Sequence, residues 1–162
     1  MTPHYENAIS KYFQSLKITP LPLISWDIFS TYQLDEALFN SIQKEWSKRE
    51  NFHEIVHQNK KVIIITDEHL KIVFTSNNVK QMNGYTPHEI LGRSPKMFQG
   101  KLTQTIPNQR IKKAISELKP FKEIVLNYRK DGTTYKCEIE ALPKFSSEGT
   151  FLHYVAIERI AS

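Results

Sequence analysis

Cysteine occurs once, as Cys137, so the chain closes no internal disulfide, which fits a reducing cytoplasm. Its longest aliphatic run is Val62-Ile63-Ile64-Ile65. A bilayer span needs about 20 apolar residues, so no membrane is expected as a partner. The first ten residues lack the basic-then-apolar pattern of a secretory signal. No repeat or low-complexity tract is present, which excludes solenoid and linker-rich architectures. What remains is ordinary globular composition, 40% hydrophobic and 24% charged, with only five glycines in 162 residues. The net charge of +5 comes from 22 Lys and Arg scattered among 17 Asp and Glu. That scatter reads as a solvated surface, and no nucleic-acid partner is expected.

The chain divides near residue 58. Residues 1–58 read as a helical extension, a cap or dimerisation element, and residues 59–162 as a separate domain. Thr2-Pro3 resembles an N-cap with proline at the first helical position. Tyr5, Ile9, Tyr12, Phe13 and Leu16 then follow at helical spacing. Pro20 and Pro22 are expected to end that helix and begin an extended segment. A second helix is predicted from about Asp35 to Arg49, with Leu38, Phe39, Ile42 and Trp46 on its apolar face. Asp35 and Glu36 would suit its positive N-terminal end. Each stripe must pack on the main domain or on a second copy. A homodimer through the N-terminal helices is therefore expected, with Trp46 as an interface anchor.

From Lys61 the texture changes. Val62–Thr66 and Ile72–Phe74 are β-branched runs separated by a polar turn and read as a hairpin. Val79 to Leu91 reads as short helical pieces broken at Gly84 and Pro87. A longer helix is predicted over Thr103–Leu118, with Pro107 in its first turn. Phe121–Lys130 and Thr133–Phe145 flank Asp131-Gly132, a two-residue hairpin signal, and a last strand covers Phe151–Ile160. The order predicts an α+β domain: a five-stranded antiparallel sheet carrying short helices and one longer helix on one face.

Two segments sharpen this reading: Gly92-Arg93-Ser94-Pro95-Lys96-Met97-Phe98-Gln99-Gly100, and Asn127-Tyr128-Arg129-Lys130-Asp131-Gly132. Together with Asn83-Gly84-Tyr85 and Glu89-Ile90-Leu91-Gly92, they resemble the PAS domain family. The closest likeness is to its flavin-binding light-oxygen-voltage (LOV) branch, whose first segment reads GRNCRFLQG. The resemblance implies a sheet cupping a pocket beneath short helices, and a module that senses in the pocket and signals through the sheet. It also implies a set of flavin positions. Pro95 stands where the branch has its reactive cysteine, so cysteinyl-adduct photochemistry is not expected. Ser94 replaces an asparagine. Gln99 and Asn127 match ring-contacting residues. Lys96 and Lys112 stand where two arginines grip the flavin phosphate, without the bidentate fork. Cys137 replaces a second asparagine, and Glu158 replaces the glutamine of the last strand.

An ionised Glu158 cannot donate to a flavin carbonyl, so it is expected to be protonated, turned outward or paired with a base. Each position also has a plain structural reading. Asn127 can serve the adjacent turn, Gln99 a cap, Cys137 as a small buried hydrophobe, and Lys96 and Lys112 as surface charge. The bound group is left unknown, with none favoured and FMN as the alternative. Haem is not expected, since the long helix holds no histidine.

His53-Glu54-Ile55-Val56-His57 matches HExxH, a helical zinc motif. Asn59-Lys60 leads from it straight towards a strand, and the third histidine of the longer form is missing. A helix-to-strand joint with Ile55 and Val56 inward is expected, and a zinc hydrolase is the remote alternative. The expected function is a non-enzymatic, cytoplasmic PAS sensory or interaction module, with output to another protein or through the N-terminal helices. The alternative is a flavin-binding, LOV-like redox or light sensor that works without an adduct.

Overall fold

The computed structural model describes residues 23–162, with side chains from Gln33 onward. The chain divides into two compact units, Met1–Gln33 and Leu34–Ser162. The predicted first helix lies outside the described residues.

Helix α1 runs Leu23–Ile42. It begins well before Asp35, in the stretch expected to be extended. It ends at Ile42, where a 3-10 turn, Gln43–Glu45, leads to Trp46 in extended backbone. Asp35 is thus interior to the helix rather than in its first turn. It is buried and accepts two 2.6 Å hydrogen bonds from Asn77, one from the backbone N–H and one from Nδ2.

The expected sheet is present. Its strands are β1 Val62–Thr66, β2 Ile72–Thr75, β3 Phe121–Tyr128, β4 Thr134–Phe145 and β5 Phe151–Ile160. All pairings are antiparallel, in the order β2-β1-β5-β4-β3. Asp67 Oδ1 shapes the β1–β2 turn by accepting from the N–H groups of His69 and Lys71. The β3–β4 loop is one residue longer than expected. Arg129 pairs with Thr133 (2.7 Å), and Gly132 takes φ +85° as the left-handed third residue of the loop. Between β2 and β3 lie α2 Val79–Asn83, α3 Pro87–Ile90, a 3-10 turn Pro95–Phe98, and α4 Thr105–Ser116. Gly84 stops α2 in left-handed backbone. Thr86 and Glu89 form a capping box at α3.

Alternation along the strands builds two cores. On the inner face, Val62, Ile64, Ile72, Val79, Met82, Ile90, Phe98, Tyr135 and Cys137 pack beneath the short helices. On the outer face, Phe39, Trp46, Phe52, Ile55 and Val56 cover Ile63, Ile65, Phe74 and Val155. With both sides covered, β1 is buried at every residue. Residues 34–58 therefore complete the sheet's own core. Trp46 is 4% exposed and donates Nε1–H to His153 Nδ1 at 3.0 Å. It is a core residue, not the interface anchor expected of it, while Leu38 is exposed. Lys144 is buried beside this core, paired with Glu50 and with its Nζ 5.3 Å from the Trp46 ring centre. Helix α4 has no buried residue.

Candidate functional site

Register places the inner-face polar residues. Asn127 lies opposite Tyr135, Val125 opposite Cys137, and Ile139 opposite Glu158. Odd positions of β3 and β4 and even positions of β5 therefore share the inner face. Asn83 reaches the same space from the C-terminal end of α2. All five polar residues are buried, with Asn83 and Cys137 at 0% exposure.

Their hydrogen bonding is uneven. Asn83 Oδ1 accepts from Tyr85 N–H at 3.0 Å, and its carbonyl accepts from Lys130 N–H at 2.9 Å. Its Nδ2 has no partner, and neither has the Tyr135 hydroxyl. Asn83 and Asn127 border that hydroxyl, and burial pushes its pKa up. The Arg129 guanidinium stacks 4.7 Å from the Tyr135 ring centre and donates to the Met82 carbonyl, closing one end of the cluster. Deeper in, the Cys137 thiol donates to Glu158 Oε2 at 3.4 Å. Glu158 is turned inward and paired with this thiol, not with a base. Burial pushes its carboxyl up to about 7, against a smaller lowering by Cys137. Burial likewise pushes the Cys137 thiol up, which favours its neutral form.

The other candidate positions lie apart from this cluster. Gln99 and Asn108 exchange two side-chain hydrogen bonds (3.0 and 3.1 Å), which tie the 3-10 segment to α4. Lys96 and Lys112 are exposed. Ser94 caps the Pro95–Phe98 turn by accepting from Lys96 N–H, and Pro95 takes its first helical position. Gly100, which closes the motif, is required sterically: a Cβ there would lie 2.6 Å from the Tyr128 ring. Tyr128 in turn accepts from Leu102 N–H through its hydroxyl at 3.0 Å. Much of the motif thus has a structural account.

Sequence reasoning passed over Asn83 and Tyr135. Asn83 belongs to a segment whose likeness is to the PAS family at large and marks no pocket position. Tyr135 is indistinguishable in an alternating strand from an ordinary core aromatic, and only the fold reveals its unpartnered hydroxyl.

The HEIVH segment forms a π-helical turn, His53–Gln58, with Ile55 and Val56 buried. The rings of His53 and His57 stand 5.0 Å apart, centre to centre. Among the described residues, no group of three or more His, Cys, Asp or Glu is placed to hold a metal ion. No described helix is long and apolar enough to cross a membrane.

Comparison with known proteins agrees with this architecture. Residues 60–159 match the family described as PAS domain. The chain is 31% identical over 132 residues to Protein TWIN LOV 1 of Arabidopsis thaliana, covering 79% of this chain and 32% of that protein. It is 30% identical over 97 residues to a blue-light-activated histidine kinase of Brucella canis, covering 58% of this chain and 20% of the kinase. The chain thus spans a third or less of the length of these relatives. The dark structure of the blue-light photoreceptor Aureochrome1 LOV superposes with a TM-score of 0.63 at 27% identity, covering 72% of this chain and 86% of that one. With LOV proteins among its relatives in sequence and in structure, and a family match over most of its length, this chain belongs to the PAS domain family.

Proposed function

We propose that the chain is a non-enzymatic PAS sensory module whose inner face is not a flavin site. The single observation that carries this reading is that ring-edge positions are already hydrogen-bonded within the chain. Cys137 is bonded to Glu158, and Gln99 is bonded twice to Asn108. Of the ring-contacting set, Asn127 alone keeps both its residue type and its place in the inner cluster. The exposed Lys96 and Lys112 lack the fork of an arginine phosphate clamp. These departures support a face that takes no flavin, and Pro95 offers no thiol for an adduct. The module then signals through contacts with a further protein in a cytoplasmic setting.

The test is the visible spectrum of freshly purified protein before and after blue illumination. No flavin band and no light-induced change are expected; a flavin band that bleaches in light would overturn the reading.

A second reading is favoured by one observation. Asn83 Nδ2 and the Tyr135 hydroxyl are spare buried groups beside Asn127, and they offer hydrogen bonds to a bound partner. On that reading a flavin works by reduction, without an adduct. The same spectrum distinguishes the two, since such a protein carries the band and bleaches on chemical reduction.

A further inference from the structure

Strand β3 forms one edge of the sheet. In an antiparallel pair, successive residues point their backbone groups alternately towards and away from the neighbour. Arg129 bonds Thr133 across the hairpin, so the odd residues of β3 face β4 and the even ones face outward. Two independent contacts agree with that parity. Leu126 uses its carbonyl to accept from Thr103 Oγ1 (2.7 Å) and its N–H to donate to Gln104 Oε1 (3.4 Å). Lys130 N–H donates outward to the Asn83 carbonyl.

On the N-terminal side of Leu126 the outward groups of Lys122 and Ile124 are left, and among the described residues no loop or turn backbone bonds to them. Pro120, the next even position, has no N–H to offer. The open edge is therefore two outward residues long, bounded by Pro120 and by the capped Leu126. Both side chains are exposed, Ile124 at 49%. A groove of about 450 Å³ follows this edge, lined by Arg110, Lys122, Glu123, Ile124 and Glu138.

We propose that this edge pairs antiparallel with the same edge of a second copy, about a two-fold axis at Glu123. Lys122 of one copy then lies opposite Ile124 of the other, and each pair exchanges two N–H···O bonds. All four outward N–H groups and carbonyls of the two pairs are satisfied, and no capped residue is needed. The two sheets become one sheet of ten strands, five from each copy.

The side-chain rows are compatible. Ile124 neighbours Glu138 in register, and Lys122 neighbours Glu140. Across the interface the outer row therefore reads Glu138, Ile124, then Lys122 and Glu140 of the second copy, with no like charges adjacent. A foreign segment gains no comparable match: two cations and two anions line the groove, favouring neither an acidic nor a basic strand. The centre of the pairing carries its one liability, because Glu123 faces Glu123. Each is forked by its own Arg110, at 2.5 and 2.7 Å, which neutralises the repulsion.

Sedimentation of the full chain from roughly 10 μM to 1 mM, the range of small weak interfaces, tests this. The mass is expected to rise towards two protomers. Ile124→Pro removes only an outward N–H and should raise the dissociation constant at least about tenfold with an unchanged circular dichroism spectrum. Arg110→Gln should weaken pairing by uncovering Glu123, and Arg110→Gln with Glu123→Gln should restore it to within about threefold of the parent. A chain that stays monomeric throughout, association unmoved by Ile124→Pro, or a double variant as weak as Arg110→Gln alone would each overturn the proposal.

Discussion

On the outer face of the sheet, Phe39 stacks within 5.3–5.8 Å of Trp46, Phe52 and Phe74, and the polar atoms at its rim, Trp46 Nε1 and Lys144 Nζ, are partnered. On the inner face, at equal burial, Asn83 and Tyr135 hold unpartnered polar atoms, and Glu158 has only a thiol to bond. The same strands carry both faces, so backbone does not explain the difference. The outer face is built for volume and stability. The inner face keeps polar groups buried without protein partners at a cost to stability, and such an expense is expected where a protein senses rather than where it merely folds.

Substitutions on the two faces should therefore act with opposite sign. Phe39→Ala should cost about 3–5 kcal/mol, read from urea unfolding, because the filled aromatic cluster is left with a cavity. A loss below about 1 kcal/mol would mean that residues 34–58 do not complete the core. Glu158→Gln should stabilise the domain by on the order of 2–3 kcal/mol at pH 8 and by little at pH 4.5.

The sign follows from the raised carboxyl. Between its ordinary 4.5 and about 7, folded Glu158 holds a proton that the unfolded chain has lost. Stability contributed by that proton is complete below pH 4.5 and is lost as the pH rises through 7. Asp35, pushed by burial from 3.8 to about 6, acts with the same sign in its own window. The half-buried carboxylates of Glu123 and Glu138, held low by Arg110, Lys122 and Arg159, act oppositely and lose their contribution as the pH falls below about 4.5. Thermal melts should accordingly peak between about pH 4.5 and 6, and Glu158→Gln should flatten the alkaline side.

Tyr135→Phe, which deletes an unpartnered hydroxyl, should be stabilising by about 1–2 kcal/mol in the same unfolding assay. A destabilisation would show that a buried water or ligand bonds that hydroxyl. Lys96→Ala and Lys112→Ala, both at exposed positions, should change stability by no more than about 0.5 kcal/mol.

The strands were legible because β-branched runs and glycine turns act locally: Val62–Thr66 and Phe151–Ile160 lie where the pattern put them. The helices were less so. The prolines before Leu23 concealed the start of α1, and Asp35 resembled a dipole-matching residue until its burial against Asn77 was seen. In the pocket, sequence likeness supplied positions but not partners. Gln99 and Asn108 are nine residues apart, Cys137 and Glu158 twenty-one, and only the fold brings each pair together. Asn83 and Tyr135 stand out by what they do not bond, which no spacing encodes.

The central claim is that the inner face is not a flavin site, and an FMN titration followed by flavin fluorescence tests it most directly. The account predicts no saturable quenching for the parent chain. Saturable quenching that is lost in Asn127→Ala would contradict it.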